Sequence, residues 1–183
     1  MSVSQLDPTC PDCSSAVFTS LAFGCTPETQ FGEISHIYLQ ATTGKDFTDV
    51  EDLAEWTAAE AAIGIDKIWD LRVSAELPEA ASTAVDIDDG KQVYPPKDFT
   101  INAEVFDVSE ANYNELVRLL ECNPLIKMWY SIPNLMFGGN AGIEANVKTN
   151  FVITKGVATL NTIKLVFTWK SKFSPIVSTN PFA

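Results

Sequence analysis

Apolar and polar residues alternate through much of this chain, most regularly toward its end. Phe99-Thr-Ile-Asn-Ala-Glu-Val-Phe106 alternates over its length, and the longer runs 143–154 and 157–172 are joined by a turn around Lys155-Gly156. Successive side chains of a strand point to opposite faces, so this period predicts half-buried strands, and the last two runs predict one long hairpin. Within the second of them, Ile163, Leu165, Phe167 and Trp169 fall on one face, while Lys164, Val166, Thr168 and Lys170 fall on the other. The first face grows more apolar toward Trp169, which marks that end as core. The end near Lys155-Gly156 is polar and reaches past what one small domain covers, so it is a candidate for pairing with a neighbour.

The first half mixes periods. Ile34-Ser-His-Ile-Tyr-Leu-Gln40 predicts a strand, and Thr48-Asp-Val-Glu51 has the spacing of a capping box. An alanine-rich helix follows over 53–62, with Asp49, Glu51 and Asp52 crowded at its positive end, and Gly64 stops it. Residues 65–73 then predict a strand. Val85-Asp-Ile-Asp-Asp-Gly-Lys-Gln-Val93 predicts a short hairpin closed by Asp89-Gly90. Ser109 is placed to cap a second helix, on which Tyr113, Leu116, Val117 and Leu120 make one apolar stripe. Leu125-Ile-Lys-Met-Trp-Tyr-Ser-Ile132 reads as strand, and Gly138-Gly139-Asn140-Ala-Gly142 breaks the chain before the hairpin. Residues 1–30, rich in Pro, Thr, Ser and Cys, read as an extended arm, and 31–183 as a single β-rich domain. The fold class is therefore α+β and mostly β, with one or two flanking helices and a long C-terminal hairpin.

Charge changes the picture. The formal net charge is −12, but it is sorted along the chain. Residues 1–121 hold 23 acidic residues against six basic ones; residues 122–183 hold Glu144 alone against six lysines. Two such segments can attract each other, or the complementary segment of another copy. The acidic excess argues against binding nucleic acid through its phosphates, though not against an acidic wall that DNA slides past. The N-terminal residues have neither a basic region nor an apolar run, and no stretch approaches the roughly 18 apolar residues of a membrane span, so the expectation is a soluble protein made in the cytoplasm.

Candidate chemistry is thin. Cys10 and Cys13 form a Cys-Pro-Asp-Cys element that suits one half of a zinc site, with Cys25 and Cys122 as the other ligands, but no second close pair completes it. As a redox pair it lacks the strand-to-helix setting of a reactive dithiol. Reduced cysteines are the plainer reading, and no cofactor or metal is assigned. A calcium loop counted from Asp86 puts Gly90 at the fifth position and Lys97 at the twelfth, which fails the EF-hand register. His36 is the only histidine, so any Ser-His-Asp or Cys-His constellation must pass through it, yet it sits in an apolar strand. Asp46, Asp49, Glu51 and Asp52 could supply an acid/base pair but already serve as helix-start charges. The glycine cluster lacks the ending of a phosphate loop. Trp129, Tyr130 and Phe137 could stack on a sugar or base, though aromatics on alternating strands usually belong to a core. No catalytic residue is assigned, and the chain is not expected to be an enzyme.

A helix between strands, the acidic glycine turn and a long C-terminal hairpin ending in Lys164-Leu-Val-Phe-Thr-Trp-Lys170 give residues 34–172 a layout that resembles the tail-tube proteins of tailed bacteriophages, and more loosely other small β-rich virion subunits. The resemblance implies a β-sandwich or open barrel with one or two flanking helices, and a homo-oligomer of stacked rings, bridged by loops and arms, whose acidic lumen lets DNA pass without holding it. It also implies contact with other virion proteins and a place in the virion. On this expectation the hairpin 143–172 and the arm 1–30 meet neighbouring copies, while Asp86, Asp88 and Asp89 face a channel or solvent. The alternatives are another virion component, such as a head-tail ring or capsid-decorating protein, and a monomeric ligand-binding module built on Trp129, Tyr130 and the glycine loop.

Overall fold

The computed structural model describes residues 33–82, 85–87, 91–93, 95–105, 125–152 and 162–183. Its elements in chain order are β1 (Glu33–Ala41), α1 (Leu53–Ala61), β2 (Trp69–Glu76), β3 (Val85–Ile87), β4 (Lys91–Val93), β5 (Lys97–Val105), β6 (Leu125–Ile132), β7 (Leu135–Phe137), β8 (Ile143–Val152), β9 (Thr162–Ser171) and β10 (Val177–Thr179). The arm 1–30, all four cysteines, the helix expected from Ser109, and the turns at Asp89-Gly90 and Lys155-Gly156 lie outside the described residues.

Six strands pair in the order β1, β2, β5, β9, β8, β6, all antiparallel, and β6 returns to pair with β1. The sheet therefore closes into a barrel, where an open barrel or a sandwich was expected. Closure follows from the apolar faces themselves. Ile101, Ala103, Phe167, Leu165, Ile163, Ala145, Met128, Leu39 and Ile37 all point inward, so one continuous wall buries them without a second sheet. A register shift between Ile34 and His36 lets Ile34 and Ile37, three residues apart, both reach this core. Phe99 stacks on Trp169, ring centres 5.0 Å apart, at the apolar end that the alternation of β9 marks.

β3 and β4 form the separate short hairpin expected around Asp89-Gly90, with Val85 opposite Val93. β8 and β9 make the long C-terminal hairpin, paired from Asn146–Thr168 to Val152–Thr162. Residues 65–73 do not form one strand. A 3-10 turn over Gly64–Asp66 comes first, and β2 starts only at Trp69. β7 and β10, absent from the sequence expectation, extend the sheet beyond the end of β6.

The helix is where it was expected, but its cap is not. Asp52, rather than Thr48, is the N-cap, and its side chain accepts from the Ala54 N–H at 2.9 Å. Glu55 reaches back instead to the Thr48 N–H at 2.8 Å and the Asp49 N–H at 3.4 Å. The Thr48 bond above all, with that from Asp49, holds its carboxyl below the ordinary value of 4.5. A carboxyl lowered by folding stabilises the fold above its unfolded pKa, and that contribution is lost as pH falls through the lower folded value. Acid unfolding should therefore be shallower below pH 4.5 in Glu55→Gln than in the parent chain, read by circular dichroism; identical acid profiles would remove this role.

Candidate assembly surface

One outward side of the barrel is sealed. β6 is buried on both faces: Met128 and Tyr130 point into the barrel, while Lys127, Trp129 and Ser131 alternate with them on the outside. Trp129, Tyr38, Phe47, Val50, Trp56, Ile68 and Met136 form a second apolar cluster there, beneath α1 and the loop before it. Trp56, wholly buried, lies 4.3 Å from Phe47, 4.7 Å from Tyr38 and 5.7 Å from Trp129, ring centre to ring centre, and its indole donates to the Val50 carbonyl at 2.8 Å. Phe182, near the C-terminus, stacks on Tyr38 and completes the cover. Burial raises the phenols of both Tyr38 and Tyr130.

The glycine cluster belongs to this packing. The Trp129 indole donates to the Gly139 carbonyl at 2.7 Å, and Asn140 ties the loop to residues 47–50 through the Val50 N–H, the Thr48 carbonyl and the Phe47 N–H. Trp129 and Tyr130 are thus buried, and Phe137 is half-buried against Tyr130 at 4.7 Å. None offers the exposed ring that stacking on a ligand requires, so the structure does not assemble the aromatic site that the ligand-module reading needs.

The four carboxylates ahead of α1 are occupied separately. Asp46 pairs with Lys127; Asp49 accepts from the Glu51 N–H at 3.0 Å; Glu51 accepts from the Thr179 N–H at 2.8 Å; Asp52 caps the helix. They are not brought together as an acid/base pair. Lys127 is itself buried and also donates to the Gly44 carbonyl at 2.7 Å. A lone lysine in the apolar run of β6 was the available sequence signal, because a buried ammonium demands a carboxylate. Removing one partner of such a pair strands the other, whereas replacing the buried member by an apolar side chain of like length does not. Asp46→Ala should cost roughly 2 kcal/mol and Lys127→Met less than about 1 kcal/mol by urea unfolding. The reverse order would mean that the pair is not what positions this loop.

His36 is half-exposed, with Nδ1 2.8 Å from Asp70 Oδ1 and its ring stacked over Tyr38. Neither a hydroxyl nor a thiol joins this pair in the hydrogen bonds of the described residues. Among those residues no group of His, Cys, Asp and Glu is arranged to hold a metal ion, and no helix is long and apolar enough to cross a membrane.

The opposite outward side of the barrel, across β2, β5, β9 and β8, is covered by none of the described elements. Asp98, Thr100, Asn102, Lys164, Lys170, Glu144, Asn146 and Lys148 point outward there. Its centre is neutralised within the chain, because Lys164 meets Glu104 at 2.9 Å and Lys170 meets Asp98 at 3.0 Å. The charge sorting seen in the sequence is thus partly spent on barrel closure: the lysines of β9 face the acids of β5 in register. The remaining exposed cations of these strands, Arg72 and Lys148, have no carboxylate partner among the described residues and lie on the border strands β2 and β8. Comparison with known proteins finds no matching family, no matching sequence and no matching solved structure.

Proposed function

We propose that this chain is a structural subunit of a tailed-phage virion: a tail-tube protein whose copies form stacked rings around an acidic lumen. The reading rests on the division of the barrel's outside into one wall sealed by α1 and its aromatics and an opposite wall, four strands wide, that none of the described elements covers. A wettable wall of threonine, asparagine and paired charges suits the lining of a channel. Lys164 and Lys170 are engaged by Glu104 and Asp98, so the middle of that wall offers phosphates little free positive charge, and a net charge of −12 repels them. In this reading the hairpin 143–172 and the arm 1–30 meet neighbouring copies, and Asp86, Asp88 and Asp89 add to the acidic surface. DNA is cargo, other virion proteins meet the ends of the stack, and the chain performs no reaction.

Electron microscopy of the purified chain at rising concentration tests the proposal. Tubes, or rings that stack around a central channel, are the expected result. Rings that never stack would favour a head-tail ring, and isolated compact particles in every condition would exclude assembly altogether.

A further inference from the structure

The wall that no described element covers is charged unevenly from border to border. Glu33 of β1 lies opposite Glu76 of β2, beside the pair Ala75–Ala103 that joins β2 to β5. The same band continues through Asn102 opposite Val166 and ends at Lys148, opposite Val166 on the other side. Adjacent strands are about 4.8 Å apart, so the acidic border and Lys148 are separated by roughly 14 Å across the wall.

At the acidic border, Glu33, Glu76, Glu79 and Glu104 line one open groove of about 710 Å³. Glu104 is neutralised by Lys164, and Glu33 accepts from the Ser74 hydroxyl. Glu76 and Glu79 are exposed with no cation beside them among the described residues, just as Lys148 is exposed with no carboxylate. Within one copy these groups are on opposite borders of a rigid wall and do not meet. In two copies set side by side they do.

We propose that the β2 border of one copy, through Glu76 and Glu79, docks on the β8 border of the next copy, through Lys148. This inference rests on the ring reading above and names its lateral contact. The two borders are different surfaces, so the contact is head-to-tail and leaves one free border at each end of a row of copies until a ring closes. Exposed ion pairs are individually weak, so their role is to fix which borders meet and in what register. The contact also consumes Lys148, removing a free cation from the channel wall.

The test uses the full chain and three variants: Glu76→Lys with Glu79→Lys, Lys148→Glu, and all three changes together. Assembled fraction is read by sedimentation velocity at fixed protein concentration, with circular dichroism reporting the fold. Reversing either border alone should lower the assembled fraction by roughly tenfold, the effect of a modest change in contact free energy. An equimolar mixture of the two border variants, and the triple variant, should recover most of it, because each again joins opposite charges. Should a reversed border unfold the chain, Glu76→Gln with Glu79→Gln and Lys148→Gln replace it, and each should lower assembly in the same direction. If the folded variants assemble like the parent, the lateral contact lies elsewhere and the inference fails while the ring reading stands. Mixtures that stay unassembled, or a parent that stops at a dimer, also overturn it. A parent that never associates overturns both.

Discussion

Trp56→Ala is expected to lower stability by about 3–5 kcal/mol, the usual range for emptying a buried tryptophan site. Trp56 is the only side chain by which α1 is wholly buried, and it touches Tyr38 of β1, Trp129 of β6, Phe47 and Phe182 at once. Alanine would leave a void between helix and barrel that these rings cannot all fill. It would also orphan the Val50 carbonyl, which Trp56 satisfies now. Since domains of this size are held by only about 5–15 kcal/mol, the change consumes a large share of the total. Urea unfolding followed by near-ultraviolet dichroism reads both the midpoint and the loss of aromatic order. A cost below about 1 kcal/mol would mean that the sealed wall is not part of the cooperative fold.

Gly142→Ala is expected to cost about 3 kcal/mol, with Gly138→Ala close behind. Both glycines hold positive φ, +73° at Gly142 and +131° at Gly138, where an L side chain is strained by about 1–2 kcal/mol. Each is also pressed against Trp129. A Cβ on Gly142 would sit 2.7 Å from the six-membered ring and one on Gly138 2.6 Å from the five-membered ring, so overpacking adds roughly 1–3 kcal/mol. Gly64, with φ +76° and nothing within reach of an added Cβ, is the control: alanine there meets backbone strain alone and should cost less. Equal losses at Gly64 and Gly142 would show that the indole is not the constraint.

The strands that alternate cleanly were legible from residues alone. β5 and β9 show why: Phe99, Ile101 and Ala103 against Ile163, Leu165, Phe167 and Trp169 fix both the element and the face it buries. Closure was not legible. Nothing local says that β1 and β6, separated by nearly half of the chain, pair from His36–Ser131 to Ala41–Ile126, because a strand's pattern names its buried face and not its edge partner. The apolar run of β6 was read as aromatic surface or ordinary core. Its near-continuous character is what burial on both faces requires, one inside the barrel and one under α1. The N-cap was misassigned because Thr48 and Asp52 both precede apolar turns with acids nearby, and only the reach of Glu55 to Thr48 and Asp49 separates them. The charge sorting was visible, but its first use lies within the barrel, where Glu104–Lys164 and Asp98–Lys170 pair across β5 and β9. What remains for other copies is the border charge of Arg72, Glu76, Glu79 and Lys148.

Sedimentation velocity of the full chain, run over a wide range of protein and salt concentration, tests most directly whether copies of this barrel associate. The account predicts species far heavier than the 20.0 kDa chain, growing with protein concentration and dissolving as salt screens the border charges. A single species of that mass in every condition would contradict it.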